Sequence, residues 1–127
     1  NLDGLVNVES VLGHLTISSN HNLENLDGLS KLSMVDDSLI VEWNLAITHL
    51  DGLGNLTSVG GDFRLVNNSS LANIHGLAGL TSVGGNLMIF NDHALPNLDG
   101  LSNITSVGGY LSMYGNDALC QSSVDAL

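Results

Sequence analysis

Leu98-Asp99-Gly100-Leu101 repeats a text already present at Leu2, Leu26 and Leu50, and Ile74-His75-Gly76-Leu77 fills the one register left open. Successive copies begin 24 residues apart, with no insertion in the array. A fixed period of this length is the mark of stacked repeats, each too small to bury its own apolar side and each covered by its neighbour's copy. The rest of the unit holds the register. Val11, Val35, Val59, Val83 and Val107 form one column. Leu15, Leu39, Phe63, Leu87 and Leu111 form a second, and Ile17, Val41, Leu65, Ile89 and Met113 a third. Leu23, Ile47, Leu71, Leu95 and Leu119 close the unit.

Within a unit, Asn86-Leu87-Met88-Ile89-Phe90 alternates inward and outward, the period-two pattern of a strand, and identical strands at a fixed spacing stack in parallel. Val-Gly-Gly at 59–61, 83–85 and 107–109 predicts a tight bend ahead of that strand, at which glycine takes backbone angles barred to other residues. No helix-capping signal precedes a 3.6-residue apolar stripe, so the opposite side is expected to be short strand and turn. The expected fold is all-β: a right-handed parallel β-solenoid of leucine-rich type, with five coils of 24 residues over 1–121 and the start of a cap over 122–127.

Asn20, Asn44, Asn68, Asp92 and Asn116 make an inward polar column. An amide carries donors and acceptors together, so this column is expected to satisfy the backbone of a bend and of the adjacent coil.

Aromatic residues are only 4% of the chain, so the core is built from Leu, Val, Ile and Met, which suits thin layered packing. Thirteen Asp and Glu against two Lys and Arg give a net charge of -11. That balance repels nucleic acid and anionic lipid; it either keeps an edge-bearing β protein dispersed or draws cations and basic partners. A single cysteine, Cys120, excludes an internal disulfide framework and a CxxC metal site. No apolar run is long enough to span a membrane and no signal peptide is visible. The chain opens in mid-motif at Asn1-Leu2-Asp3-Gly4, which reads as a piece of something longer.

The outward strand positions are where a repeat array varies and binds. They form three stripes: His14, Ser38, Asp62, Asn86, Tyr110; then Thr16, Ile40, Arg64, Met88, Ser112; then Ser18, Glu42, Val66, Phe90, Tyr114. Trp43 lies just beyond the strand, in a column shared with Ser19, Asn67, Asn91 and Gly115. Trp43, Arg64, Met88, Phe90, Tyr110 and Tyr114 are the candidate ligand-binding residues, because apolar and aromatic side chains gathered on an exposed face mark an interface. Phe90, Tyr110 and Tyr114 are expected to form one anchor cluster, about one strand spacing or ~4.8 Å apart.

Other constellations have plainer readings. Asp3, Asp27, Asp51 and Asp99 align, interrupted by His75, and stacked carboxylates suit Ca²⁺. Asp before Gly more often serves the turn, accepting hydrogen bonds from its own backbone. The five histidines share neither a face nor a ligand spacing, so no zinc site is expected. Asp62, Arg64 and Glu42 would meet on the outer face, where an acid/base site competes with a surface ion pair of little energetic weight. No catalytic residue, metal or cofactor is assigned. Asn55, Asn67, Asn68 and Asn103 open N-glycosylation triplets, with Asn68 expected to point inward.

These motifs together resemble the receptor L domain family of leucine-rich solenoids, in the version found on microbial cell surfaces. The matching text is Leu-Asp-Gly-Leu at Leu98–Leu101, Leu-Thr-Ser-Val-Gly-Gly with Ile104 opening its copy at Ile104–Gly109, and Leu-x-Ile-x-x-Asn, which here ends in Asp92. The resemblance spans nearly the whole chain. It implies a cell-surface or extracellular adhesion or recognition module without catalysis, taking a protein or glycan ligand on the outer strand face, with no nucleic acid and no membrane insertion. The alternative is a structural spacer or self-associating subunit using the same face; a polysaccharide-active enzyme is remote. Asn116-Asp117-Ala118-Leu119-Cys120 is similar to the family's terminal coil, whose capping cysteines pair, leaving Cys120 either bonded to a partner elsewhere or a buried thiol.

Overall fold

A computed structural model of the chain describes residues 1–119. The Cys120 question and the expected cap at 122–127 lie outside the described residues. Each repeat contributes one short and one longer strand: β1 (Ser10–Val11) and β2 (Leu15–Ser18), β3 (Met34–Val35) and β4 (Leu39–Glu42), β5 (Ser58–Val59) and β6 (Phe63–Val66), β7 (Ser82–Val83) and β8 (Leu87–Phe90), β9 (Ser106–Val107) and β10 (Leu111–Tyr114). The short strands pair in parallel as β1-β3-β5-β7-β9 and the longer ones as β2-β4-β6-β8-β10. Every pairing is in the 24-residue register, as in Leu39↔Phe63↔Leu87.

Burial follows the columns. Leu39, Phe63 and Leu87 of the longer strands, and Val41, Leu65 and Ile89, are buried, as are Val35, Val59 and Val83 of the short ones. In β8 the pattern alternates, with Leu87 and Ile89 buried and Met88 and Phe90 half-buried. The first and fifth repeats are less well covered: Leu15, Val11, Val107 and Met113 are only partly buried, and Leu111 is 45% exposed. Burial in a stack needs a neighbour on both sides, and among the described residues these two copies have a paired neighbour on one side only.

The side away from the longer strands has no α-helix among the described residues; each Asp-Gly-Leu or His-Gly-Leu is a single 3-10 turn, at Asp3–Leu5, Asp27–Leu29, Asp51–Leu53, His75–Leu77 and Asp99–Leu101. The aspartates accept from their own turn through the backbone carbonyl, as Asp27 does from the Ser30 N–H (3.2 Å), and not through the carboxylate. Instead the residue two places earlier receives the Asp backbone N–H, as Asn25 does for Asp27 (3.0 Å) and Asn97 for Asp99 (3.1 Å). His49 does the same for Asp51 through Nδ1 (3.3 Å). This is the Asx-turn device, displaced from the Asp to the residue that enters the turn.

The glycines of Val-Gly-Gly also act differently from expectation. None has a positive φ; among the described glycines only Gly115 does. Their use is close approach: a Cβ on Gly60, Gly84 or Gly108 would overlap the carbonyl of Asp36, Gly60 or Gly84 in the preceding repeat. The threonine of the same motif links repeats, Thr57, Thr81 and Thr105 hydroxyls donating to the carbonyls of Ser33, Thr57 and Thr81 (3.0 to 3.2 Å).

The inward amides of the second, third and fifth repeats behave as anticipated, whereas Asn20 is exposed and its Nδ2 donates to the Ser18 carbonyl of its own repeat (3.1 Å). Asn44 Nδ2 donates to the Ile17 carbonyl (2.8 Å), Asn68 Nδ2 to Val41 (3.0 Å) and Asn116 Nδ2 to Ile89 (2.8 Å). Their Oδ1 atoms accept backbone N–H groups from the preceding repeat: Asn44 from Asn20 (3.1 Å), Asn68 from Asn44 (3.2 Å) and Asn116 from Asp92 (2.9 Å). Asn44, Asn68 and Asp92 are fully buried, so each such bond removes a desolvation cost that an apolar residue here would leave on the backbone.

Candidate functional site

The outward face of the longer sheet carries the candidate residues on a frame set by strand register. Arg64 stands between Ile40 and Met88 on adjacent strands, and Val66 between Glu42 and Phe90. Tyr114 is registered on Phe90, and their rings stack with centroids 4.0 Å apart and planes 24° from parallel. The ring separation is tighter than the strand spacing because the two side chains lean together, a contact favourable beyond its buried area.

Tyr110 is not part of this cluster. It precedes β10 and lies at the opposite end of the strand from Tyr114, about 13 Å away at a strand's rise per residue. Both tyrosines are exposed, Tyr110 by 62% and Tyr114 by 60%.

Trp43 occupies the corner that follows β4, with φ of 57°, in the left-handed region shared by Ser19, Asn67, Asn91 and Gly115. Gly and Asn tolerate that region; a bulky aromatic is strained there. The ring is half exposed at 50%, so core packing does not account for the choice. Trp43 and Phe90 are two strands apart, with Val66 and Asn67 of the third repeat between them. Val66, an outward position, is nevertheless buried at 8% exposure.

The stripe of His14, Ser38, Asp62, Asn86 and Tyr110 is mostly architectural. Ser38 Oγ accepts the Asp62 N–H (3.1 Å), Asp62 Oδ1 the Asn86 N–H (2.8 Å) and Asn86 Oδ1 the Tyr110 N–H (3.0 Å). A second side-chain ladder thus enters the longer sheet, one that sequence reading missed because Ser, Asp and Asn share an acceptor oxygen but no common name. Tyr110 ends the ladder and is left to face outward.

Asp62, Arg64 and Glu42 do not form the expected ion pair. Among the described residues the carboxylates within ion-pair distance of a basic group all face histidines, His14–Asp37 (3.3 Å), His49–Asp51 (3.4 Å) and His93–Asp117 (2.9 Å), and the His49 contact is no ion pair while its Nδ1 accepts the Asp51 N–H. Arg64 is half-buried with its Nε enclosed and unpartnered. Glu42 Oε1 instead accepts from the Ser18 hydroxyl (3.5 Å). The Asp3, Asp27, Asp51 and Asp99 carboxylates are exposed, and among the described residues no three His, Cys, Asp or Glu side chains converge as metal ligands.

A cavity of about 240 Å³ opens at the fifth repeat, lined by Leu87, Leu101, Ser102, Ile104, Thr105, Ser106, Val107 and Leu111, with no titratable group in its wall. It lies at the last of the described repeats. All four glycosylation-triplet asparagines are engaged: Asn55 and Asn103 donate to the Ser30 and Ala78 carbonyls, Asn67 accepts from Asn91, and Asn68 is buried. No helix among the described residues is long and apolar enough to cross a membrane. No protein-family model, curated protein or solved structure matches the chain.

Proposed function

We propose that this chain is a non-catalytic recognition or adhesion module of the cell exterior, a right-handed leucine-rich solenoid of receptor L domain type that binds a protein or glycan on the outer face of its longer sheet. The observation that carries the reading is the set of aromatic rings at one end of that sheet: the Phe90–Tyr114 stack, with Trp43 held half exposed in a left-handed corner. Exposed rings set in rigid strands are efficient anchors for protein and for the flat faces of sugars, since little side-chain entropy is lost on contact. Strain retained at an exposed site points the same way, because folding alone would place Asn or Gly there. Met88 and Ile40 flank Arg64 on the same face and supply an apolar surround with one cation.

The test is a pair of variants. Phe90→Ser with Tyr114→Ser should abolish binding while circular dichroism and the melting midpoint stay close to those of the parent. Trp43→Asn should weaken binding and leave stability equal or higher, by up to about 1 kcal/mol as the left-handed strain is relieved. A folded double variant that binds as before moves the site off this face. Self-association through the same apolar face is the second reading, and sedimentation of the parent and of the double variant separates it from capture of a different ligand.

A further inference from the structure

The buried amide column has one break. In three repeats the amide nitrogen donates to the carbonyl 27 residues earlier, from Asn44 to Ile17, Asn68 to Val41 and Asn116 to Ile89. In the fourth repeat the residue is Asp92, and the carbonyl 27 residues earlier, the counterpart of those three acceptors, is that of Leu65. Oδ1 keeps the common role, accepting the Asn68 N–H at 2.8 Å. Oδ2 is enclosed and has no hydrogen-bond partner. An ionised carboxylate is acceptor only, so it cannot do what the amide NH₂ does in the other repeats; a neutral acid carries one O–H and can.

We propose that Asp92 is a protonation-operated latch between the third and fourth repeats: with a proton taken from solvent, Oδ2–H donates to the Leu65 carbonyl and closes the column, and as a carboxylate it leaves two buried acceptors facing each other and loosens that seam.

The surroundings favour the neutral form. Burial pushes the Asp92 carboxyl up from 3.8 to about 6, against the opposing pull of the Asn68 backbone and side-chain hydrogen bonds and the His93 charge. The groups bonded to Asp92 from the adjoining repeats are the amides of Asn68 and Asn116, which do not titrate. The titratable neighbours are His93, next in the chain, and Asp117, which holds His93 Nδ1 at 2.9 Å. Because the folded chain holds this proton more tightly than the unfolded chain, the stabilisation is full below pH 3.8 and is lost as pH rises through about 6. The seam so controlled lies directly behind the Arg64↔Met88 and Val66↔Phe90 pairs.

The experiment needs no ligand and does not depend on the proposed function. Phe63 and Asn67 N–H groups donate across the third–fourth seam to Asn86 and Phe90, and Leu39 and Trp43 N–H groups donate across the second–third seam to Asp62 and Val66. Hydrogen exchange of the first pair relative to the second, corrected for intrinsic pH dependence, should speed up by about tenfold or more between pH 4.5 and 8, under a ceiling of about a hundredfold set by the linkage. Asp92→Asn, which installs the residue found at 20, 44, 68 and 116, should fold and flatten that ratio. Carboxyl carbon NMR should give Asp92 a titration midpoint near 6. A midpoint in the ordinary carboxylate range, a seam ratio independent of pH, or an Asp92→Asn protein with the same pH dependence would each overturn the latch.

Discussion

Gly52→Ala is expected to destabilise the chain by more than about 3 kcal/mol, whereas Gly4→Ala, the same substitution in the same motif, should be neutral or stabilising by roughly 0.4 to 1 kcal/mol. The local backbone of the two turns is nearly identical: the residue before the turn has φ and ψ of -113° and 24° at Leu2 and -116° and 28° at Leu50. Neither glycine has a positive φ. What differs is the neighbour. A Cβ on Gly52 would overlap the Leu26 carbonyl and come within 2.6 Å of the Asp27 nitrogen, backbone atoms that cannot step aside without separating the two turns. A Cβ on Gly4 meets nothing within 4 Å, so alanine there only narrows the unfolded ensemble. Gly28, Gly76 and Gly100 make the same approach to Leu2, Leu50 and Ile74, so Gly76→Ala is an independent repeat of the test. Chemical denaturation of the three variants measures the effect, and equal losses at Gly4 and Gly52 would assign the glycine to the turn's own conformation instead of to stacking.

Leu87→Ala should cost about 2 to 5 kcal/mol, the usual range for truncating a buried leucine. Leu87 is 2% exposed and sits between Phe63 and Leu111 in the parallel register, so its loss opens a void across three layers. Leu87 also borders the cavity at the fifth repeat, which gives the surroundings some room to collapse and favours the lower half of that range. Met88→Ala, one position along β8 and outward, should cost under about 1 kcal/mol. Similar denaturation midpoints for the two variants would mean that the inward and outward assignment of the strand is wrong.

The longer strands are held by apolar columns and the turns by backbone packing on backbone, and a layered protein with few aromatics has no thick core to absorb damage to either. A packing defect at one repeat is therefore expected to weaken the repeats beside it, since each copy is covered only by its neighbours.

Period, columns and strand position were legible in the sequence because each depends on side-chain identity recurring at 24 residues: Leu39, Phe63 and Leu87 are apolar at one register, and Asn44 and Asn68 are amides at another. The inward amide column was legible for the same reason, down to Asp92 as its odd member. Three things were decided only in the tertiary structure. The glycines of Asp-Gly-Leu and Val-Gly-Gly serve close contact between layers, and a distance between layers is not written in any single repeat. Ser38, Asp62 and Asn86 form one acceptor ladder because stacking brings unlike residues to a shared backbone N–H, a role that residue names conceal. Tyr110 precedes β10 and Tyr114 ends it, while Phe90 and Tyr114 close to 4.0 Å, because neighbours across a parallel sheet are nearer than residues four apart along one chain.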